Sequence, residues 1–121
     1  MGAARTHRDL VAWQEAMKLV EMIYRGTIAF PRAETYGLAL QMRRSAVSVP
    51  SNIAEGAARN STKELLQYLG VASGSLAELE TQLELSVRLG LSNGESACLK
   101  QVSRVGKLLV GLRNSIRELV D

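Results

Sequence analysis

The stretch from Gln41 to Arg59, QMRRSAVSVPSNIAEGAAR, decides how the rest of the chain is arranged. Set on a helix at about 100° per residue, it separates into two stripes. Met42, Ala46, Val49 and Ile53, led in by Ala39, recur at steps of three and four, the pattern of a core face. Gln41, Arg44, Ser48, Asn52, Glu55 and Arg59 recur at the same steps on another face, and each carries hydrogen-bonding groups. Pro50 falls between the halves. An interior proline removes one backbone bond and costs about 3 kcal/mol, so two readings compete, one bent helix or two short ones. The stripes stay in phase across Pro50, which predicts a continuous helix from about Tyr36 to about Ala58, N-capped by Thr35 and bent at the proline. The hydroxyls of Ser48 and Ser51 stand near the freed backbone groups.

Three further helices follow from the same periodicity. The first begins near Arg8 or Asp9, after a loose leader over residues 1–8, and runs to about Ile28. Its core stripe is Leu10, Trp13, Met17, Val20 and Tyr24, widened by Ala16, Leu19 and Ile23. Phe30-Pro31 ends it, because the residue before proline is pushed out of the α region. Ser61 with Glu64 forms a capping box that opens the third helix. Leu65, Leu69, Ala72, Leu76, Leu79 and Leu83 make its core stripe, Gly74 marks a close approach to the second helix, and Gly90 fits the C′ position. Ser92 with Glu95 repeats the capping signal for a fourth helix, whose stripe is Leu99, Val102, Val105, Leu109, Leu112, Ile116 and Leu119. Four amphipathic helices on short loops predict an all-α fold, an antiparallel up-down-up-down four-helix bundle spanning residues 1–121 as one domain.

Composition narrows the function. The chain is 46% apolar with a formal net charge of +3 and a pI near 9.4, mildly basic and compatible with nucleic acid. The single cysteine, Cys98, excludes an internal disulfide and a thiolate metal cluster and reads as a structural thiol. No apolar run reaches the roughly 20 residues of a membrane span, and no signal-peptide core is visible, so a cytoplasmic location is expected. Glu78, Glu80 and Glu84 lack the Glu-x-x-His pairing of a helical di-metal site, since the one histidine is His7. Glu84 instead has Arg88 one turn on as an ion-pair partner. No base stands among the serines for nucleophilic catalysis, and neither a metal, a cofactor nor a small-molecule substrate is expected.

Two constellations remain. Gln41, Ser48, Asn52 and Glu55 face the third helix, where Ser75, Glu78 and Gln82 lie off the core stripe. They read as a polar network between helices or subunits, or else as a solvated face. Exposed faces are usually built from Lys and Glu, whereas Ser, Asn and Gln are poorer helix formers and good short-range hydrogen bonders. Lys100, Arg104 and Lys107 form a basic stripe on the fourth helix, and Arg43, Arg44 and Arg59 add charge on the second. These six read as phosphate contacts or as a solubilising face.

The strings RRSAVSVPSNIAEG and GSLAELETQL, with DLVAWQEA near the start, resemble the bacterial four-helix-bundle family found as reading frames inside intervening sequences of 23S ribosomal RNA genes. The resemblance runs from about Asp9 to about Leu119. It implies an antiparallel four-helix bundle assembled as a ring-shaped homopentamer. The leading reading of the chain is a non-enzymatic oligomeric bundle with RNA the favoured ligand. The family's characteristic positions correspond to Gln41, Arg43, Arg44, Ser48, Pro50, Asn52, Glu55, Gly56, Gly74, Ser75, Glu78 and Glu80. A structural scaffold that binds protein partners and no nucleic acid is the alternative. Because four such apolar stripes offer more than one face to bury, light scattering is expected to give a mass above the 13.2 kDa monomer.

Overall fold

A computed structural model describes residues 6–93 and 96–120. Among the described residues the chain is all-helical, with four α-helices and no strand: α1 (Val11–Thr27), α2 (Leu38–Ala57), α3 (Thr62–Arg88) and α4 (Ser96–Val120). Single 3-10 turns at His7–Asp9 and Arg32–Glu34 precede α1 and α2. α2 packs against α1 and α3, and α4 packs against α3 and α1. All four helices contribute to one apolar core.

The α2 core stripe is buried in full: Ala39, Met42, Ala46, Val49 and Ile53 are each no more than 2% exposed. α2 is unbroken through Pro50, which is itself buried. Its start differs from the expected one. Thr35 closes the 3-10 turn rather than capping α2, and Gly37 is the N-cap residue. The Glu34 carboxylate accepts the Leu38 N–H at 3.1 Å and lies 2.8 Å from where a Gly37 Cβ would sit. A longer acceptor one turn back thus replaces the short threonine hydroxyl.

α1 also starts later than its acidic residue suggests. Asp9 turns back to accept the Thr6 N–H at 3.2 Å, and Thr6 accepts from Arg8 at 3.2 Å. That closed turn leaves Leu10 extended, so α1 opens at Val11. Residues 1–5 of the expected leader lie outside the described residues. The buried strip of α1 is Ala12, Ala16, Leu19 and Ile23, whereas Met17 and Tyr24 are each 43% exposed. The two alanines admit neighbouring helices most closely, so the core centres on their side of the stripe.

In α3, Leu69, Ala72, Leu76 and Leu79 are buried, with Leu65 and Leu83 packed at the edge. Ser61 accepts the Glu64 N–H at 3.2 Å, as the cap requires. Gly90 ends the helix with φ +73°. The Leu91 N–H reaches Ser86 O at 2.8 Å and the Gly90 N–H reaches Val87 O at 3.0 Å, a Schellman closure. The Ser86 hydroxyl donates to Leu83 O at 2.7 Å and meets the Ser92 hydroxyl at 2.9 Å. Glu95, the second half of the expected α4 cap, lies outside the described residues. On α4, Cys98, Val102, Val105 and Leu109 are buried, but Leu99 is 45% and Leu119 76% exposed. Leu119 lies at the end of the stripe, and Leu99 at its edge, beside Glu80, Glu84 and Val87 of α3.

The close approach between α2 and α3 falls at Gly56, not at Gly74. A Cβ on Gly56 would lie 2.8 Å from the Tyr68 Cβ and 3.1 Å from the Leu65 Cδ1, whereas one on Gly74 would meet nothing within 4 Å. Gly74 is exposed on α3, where its backbone freedom only weakens the helix. Gly56→Ala is therefore expected to destabilise the fold by about 1–3 kcal/mol through overpacking. Gly74→Ala is expected to stabilise it by about 0.5–1 kcal/mol. Urea unfolding of the two variants reads the opposite signs.

Candidate functional site

Each of the four helix contacts is tied by at least one polar side chain. Between α1 and α4, Glu15 is only 7% exposed. Its Oε1 accepts from Arg104 Nε at 2.9 Å and from Gln101 Nε2 at 3.1 Å, and its Oε2 accepts from Lys18 at 2.8 Å. Gln101 also donates to the Glu15 backbone carbonyl at 2.8 Å. The hydrogen bond from Lys18, then those from Gln101 and Arg104, hold the Glu15 carboxyl at a pKa of about 2 against the opposing effect of burial.

Between α1 and α2, Arg43 Nε donates to the Thr27 hydroxyl at 2.8 Å, and its guanidinium lies 4.8 Å from the Tyr24 ring centre. Between α2 and α3, the Ser48 and Ser75 hydroxyls meet at 2.8 Å. Asn52 donates to the Ser48 hydroxyl at 2.9 Å and to its carbonyl at 2.8 Å. One turn past these, Arg59 donates to Glu55 at 2.9 Å and to the Tyr68 hydroxyl at 2.7 Å, with its guanidinium 5.0 Å from that ring. Between α3 and α4, Arg113 donates to Ser73 at 3.2 Å.

The residues singled out in the sequence divide accordingly. Ser48, Asn52 and Ser75 come together as one hydrogen-bonded group, so the Ser48 hydroxyl is directed at α3. Glu55 serves Arg59, while Gln41 and Glu78 are exposed. Of the basic residues, Arg43, Arg59 and Arg104 are held by neighbours within the chain. Arg44, Lys100 and Lys107 are exposed and form no ion pair with the described residues. Lys100 and Lys107 lie about one turn before and after Arg104 on the outer side of α4. Glu84 pairs with Arg88 at 2.7 Å, the expected i,i+4 partner.

Sequence reasoning missed the Glu15 tie, whose partners are 86 and 89 residues away. The signal was present: an acid flanked by Ala12, Ala16 and Leu19, inside a strip that is otherwise apolar. His7 sits edge-on to Trp13 with ring centres 5.0 Å apart, away from the polar ties. Among the described residues no three His, Cys, Asp or Glu side chains converge as metal ligands would. No helix among them is long and apolar enough to cross a membrane.

The Glu15 site has a pH signature. Its folded pKa lies below the unfolded value of 4.5, so the stability it contributes is complete above that value and is lost as the pH falls toward 2. Glu15→Gln is expected to lower the melting temperature most above pH 5. The gap between variant and wild type should shrink steadily below pH 4, which thermal melts across that range will measure.

No curated protein matches this chain. The model of one family, described as 23S rRNA-intervening sequence protein, matches residues 8–111, a span that takes in Glu15, Arg43, Ser48, Arg59 and Arg104. With most of its length covered by that match, in agreement with the motifs RRSAVSVPSNIAEG and GSLAELETQL, the chain belongs to the 23S rRNA-intervening sequence protein family.

Proposed function

We propose that this chain is a non-catalytic, self-associating helical bundle that binds RNA through the cationic outer face of α4 and the adjoining edge of α1. The observation that carries the reading is the pair Lys100 and Lys107. Both are exposed and unpaired among the described residues, and they flank an Arg104 that Glu15 holds in position. Lys18, on the same carboxylate from α1, extends the face. Lysines held this way suit nonspecific phosphate contact, in which counterion release supplies the affinity. The family's description names ribosomal RNA, which makes structured RNA the appropriate probe.

The contacts between successive helices support an antiparallel up-down-up-down arrangement. Thr27 at the end of α1 meets Arg43 early in α2. Gly56 at the end of α2 faces Leu65 and Tyr68 early in α3, and Ser73 lies opposite Arg113 late in α4. α2 bends at Pro50, where the ring displaces the turn before it. Self-association, as the homopentamer implied by the family resemblance, would cover apolar side chains such as Val47, Val71 and Leu85, which are 40%, 52% and 43% exposed. The cytoplasm is the compartment in which such a protein would meet RNA.

The scaffold reading is favoured by a different observation: three of the six basic candidates are taken up by contacts within the chain. One experiment separates the two. The RNA reading expects wild-type affinity for structured RNA to fall steeply with salt. It also expects Lys100→Ala with Lys107→Ala to reduce the log–log salt slope by about 1 per lysine, with the mass by light scattering unchanged. No salt-dependent binding by an intact oligomer overturns it in favour of the scaffold.

A further inference from the structure

Two tyrosines stand apart from the other aromatic side chains. Of the five Phe, Trp and Tyr residues, Phe30 is buried, and Trp13 and Tyr68 are half-buried. Tyr24 and Tyr36 are 43% and 88% exposed, and both lie where α1 gives way to α2. Tyr24 is in the last turn of α1, and Tyr36 stands two residues before α2 begins at Leu38. The bond from Arg43 to the Thr27 hydroxyl, 2.8 Å long, sets the end of α1 beside the second turn of α2. At 1.5 Å per residue, Tyr24 and Arg44 then lie within about 10 Å of the helix ends that flank Tyr36. Tyr24 is nine residues on from Glu15, half a revolution at 100° per residue. It therefore faces away from α4, to which Glu15 is tied.

Cations collect at the same end. From Glu21 to Arg44 the chain carries four arginines and two carboxylates. Arg25, Arg32 and Arg44 are exposed and form no ion pair with the described residues. Of the carboxylates, Glu34 is engaged with the Leu38 N–H, and Glu21 is exposed. The fourth arginine, Arg43, lies 4.8 Å from the centre of the Tyr24 ring. It is fixed there by its bonds to the Thr27 hydroxyl and to the Tyr24 carbonyl. A ring backed by an anchored guanidinium is a pre-set surface, with less freedom to lose on binding than a lone exposed tyrosine.

We propose that this end of the α1–α2 hairpin binds single-stranded RNA, with bases stacked on Tyr24 and Tyr36 and phosphates met by Arg25, Arg32 and Arg44. Single-strand sites without sequence preference combine a cationic track with aromatic platforms, and this end of the hairpin carries both. In a duplex the bases stack on one another and offer no free face, whereas an unpaired strand can splay its bases onto aromatic rings. The inference rests on the reading of the chain as an RNA-binding protein and adds a second site to it. That site is distinct from Lys100 and Lys107 on α4, whose phosphate contacts require no unpaired base.

The test is fluorescence anisotropy of the full chain with two labelled probes, an unstructured oligouridylate and an RNA duplex of the same length. The oligouridylate is expected to bind in a salt-dependent manner. Tyr36→Ala should weaken that binding by about fivefold or more, while Tyr36→Phe, which keeps the ring, should preserve it. Arg25→Ala with Arg32→Ala should weaken it and lower the salt slope. Duplex affinity should be unchanged in both tyrosine variants. Tyr36 is exposed enough for its loss to spare the fold, which circular dichroism checks. Equal oligouridylate affinity in wild type and Tyr36→Ala overturns the proposal. So does a changed oligomer mass in Tyr36→Ala, which would assign the face to a contact between copies. Lys100→Ala with Lys107→Ala keeps the two sites apart. Oligouridylate binding that survives in this variant and falls with Tyr36→Ala supports the hairpin site even where the α4 reading fails. Oligouridylate binding lost here and indifferent to Tyr36 leaves α4 as the sole site and overturns this one.

Discussion

The separation between α2 and α3 is the constraint on which most of the molecule depends. At Gly56 the two helices come so close that a single methyl group would meet Tyr68 and Leu65, and the fully buried Ala46 and Ala72 let small side chains line the contact. Small side chains forfeit apolar area but bring the backbones together. At that spacing the hydroxyls of Ser48 and Ser75 touch, which longer polar residues could not do without being forced outward. The unusual composition of the second stripe, with Ser and Asn where a solvated helix would carry Lys and Glu, is therefore a consequence of how tightly α3 lies on α2.

The chemistry of the guanidinium accounts for three of the cations. Arginine binds through a planar fork that stacks on rings and donates in fixed directions, while lysine is a compact and strongly hydrated point charge. Arg43 and Arg59 each lie over a tyrosine ring and donate to neighbouring oxygens, and Arg104 donates to a buried carboxylate. These three arginines hold structure together. Lys100 and Lys107 extend from α4 with their charge in water. The field of lysines on a helix that Glu15 anchors is screened within about 10 Å at ordinary ionic strength, so it is confined to the neighbourhood of the α4 surface.

The two ends of the α-helical core differ in character. At the α3–α4 junction, Ser86 closes the α3 C-terminus with both its carbonyl and its hydroxyl, and a Cβ on Gly26 of α1 would meet nothing within 4 Å. Where α2 turns into α3, by contrast, Leu65 and Tyr68 leave no room for a Cβ on Gly56. Packing is tight where α2 turns into α3, at Gly56.

The periodicity of the sequence determined by itself that the chain is helical and that there are four helices. It also determined the apolar stripe that α2 buries, that α2 continues through Pro50, and that Gly90 and Ser61 bound α3. These are local properties, set by three- and four-residue spacing, cap chemistry and the one residue type that tolerates positive φ. The motif strings were equally legible, since a family is carried by the order of residues. What only the tertiary structure decided depends on distant partners. Glu15 is a core anchor because Gln101 and Arg104 reach it across 86 and 89 residues. Gly56 and not Gly74 is the contact glycine because α3 crosses there. The exposure of Met17, Tyr24, Leu99 and Leu119 reflects which part of each stripe the neighbouring helices cover, and a stripe read along one helix carries no information about where its neighbours lie.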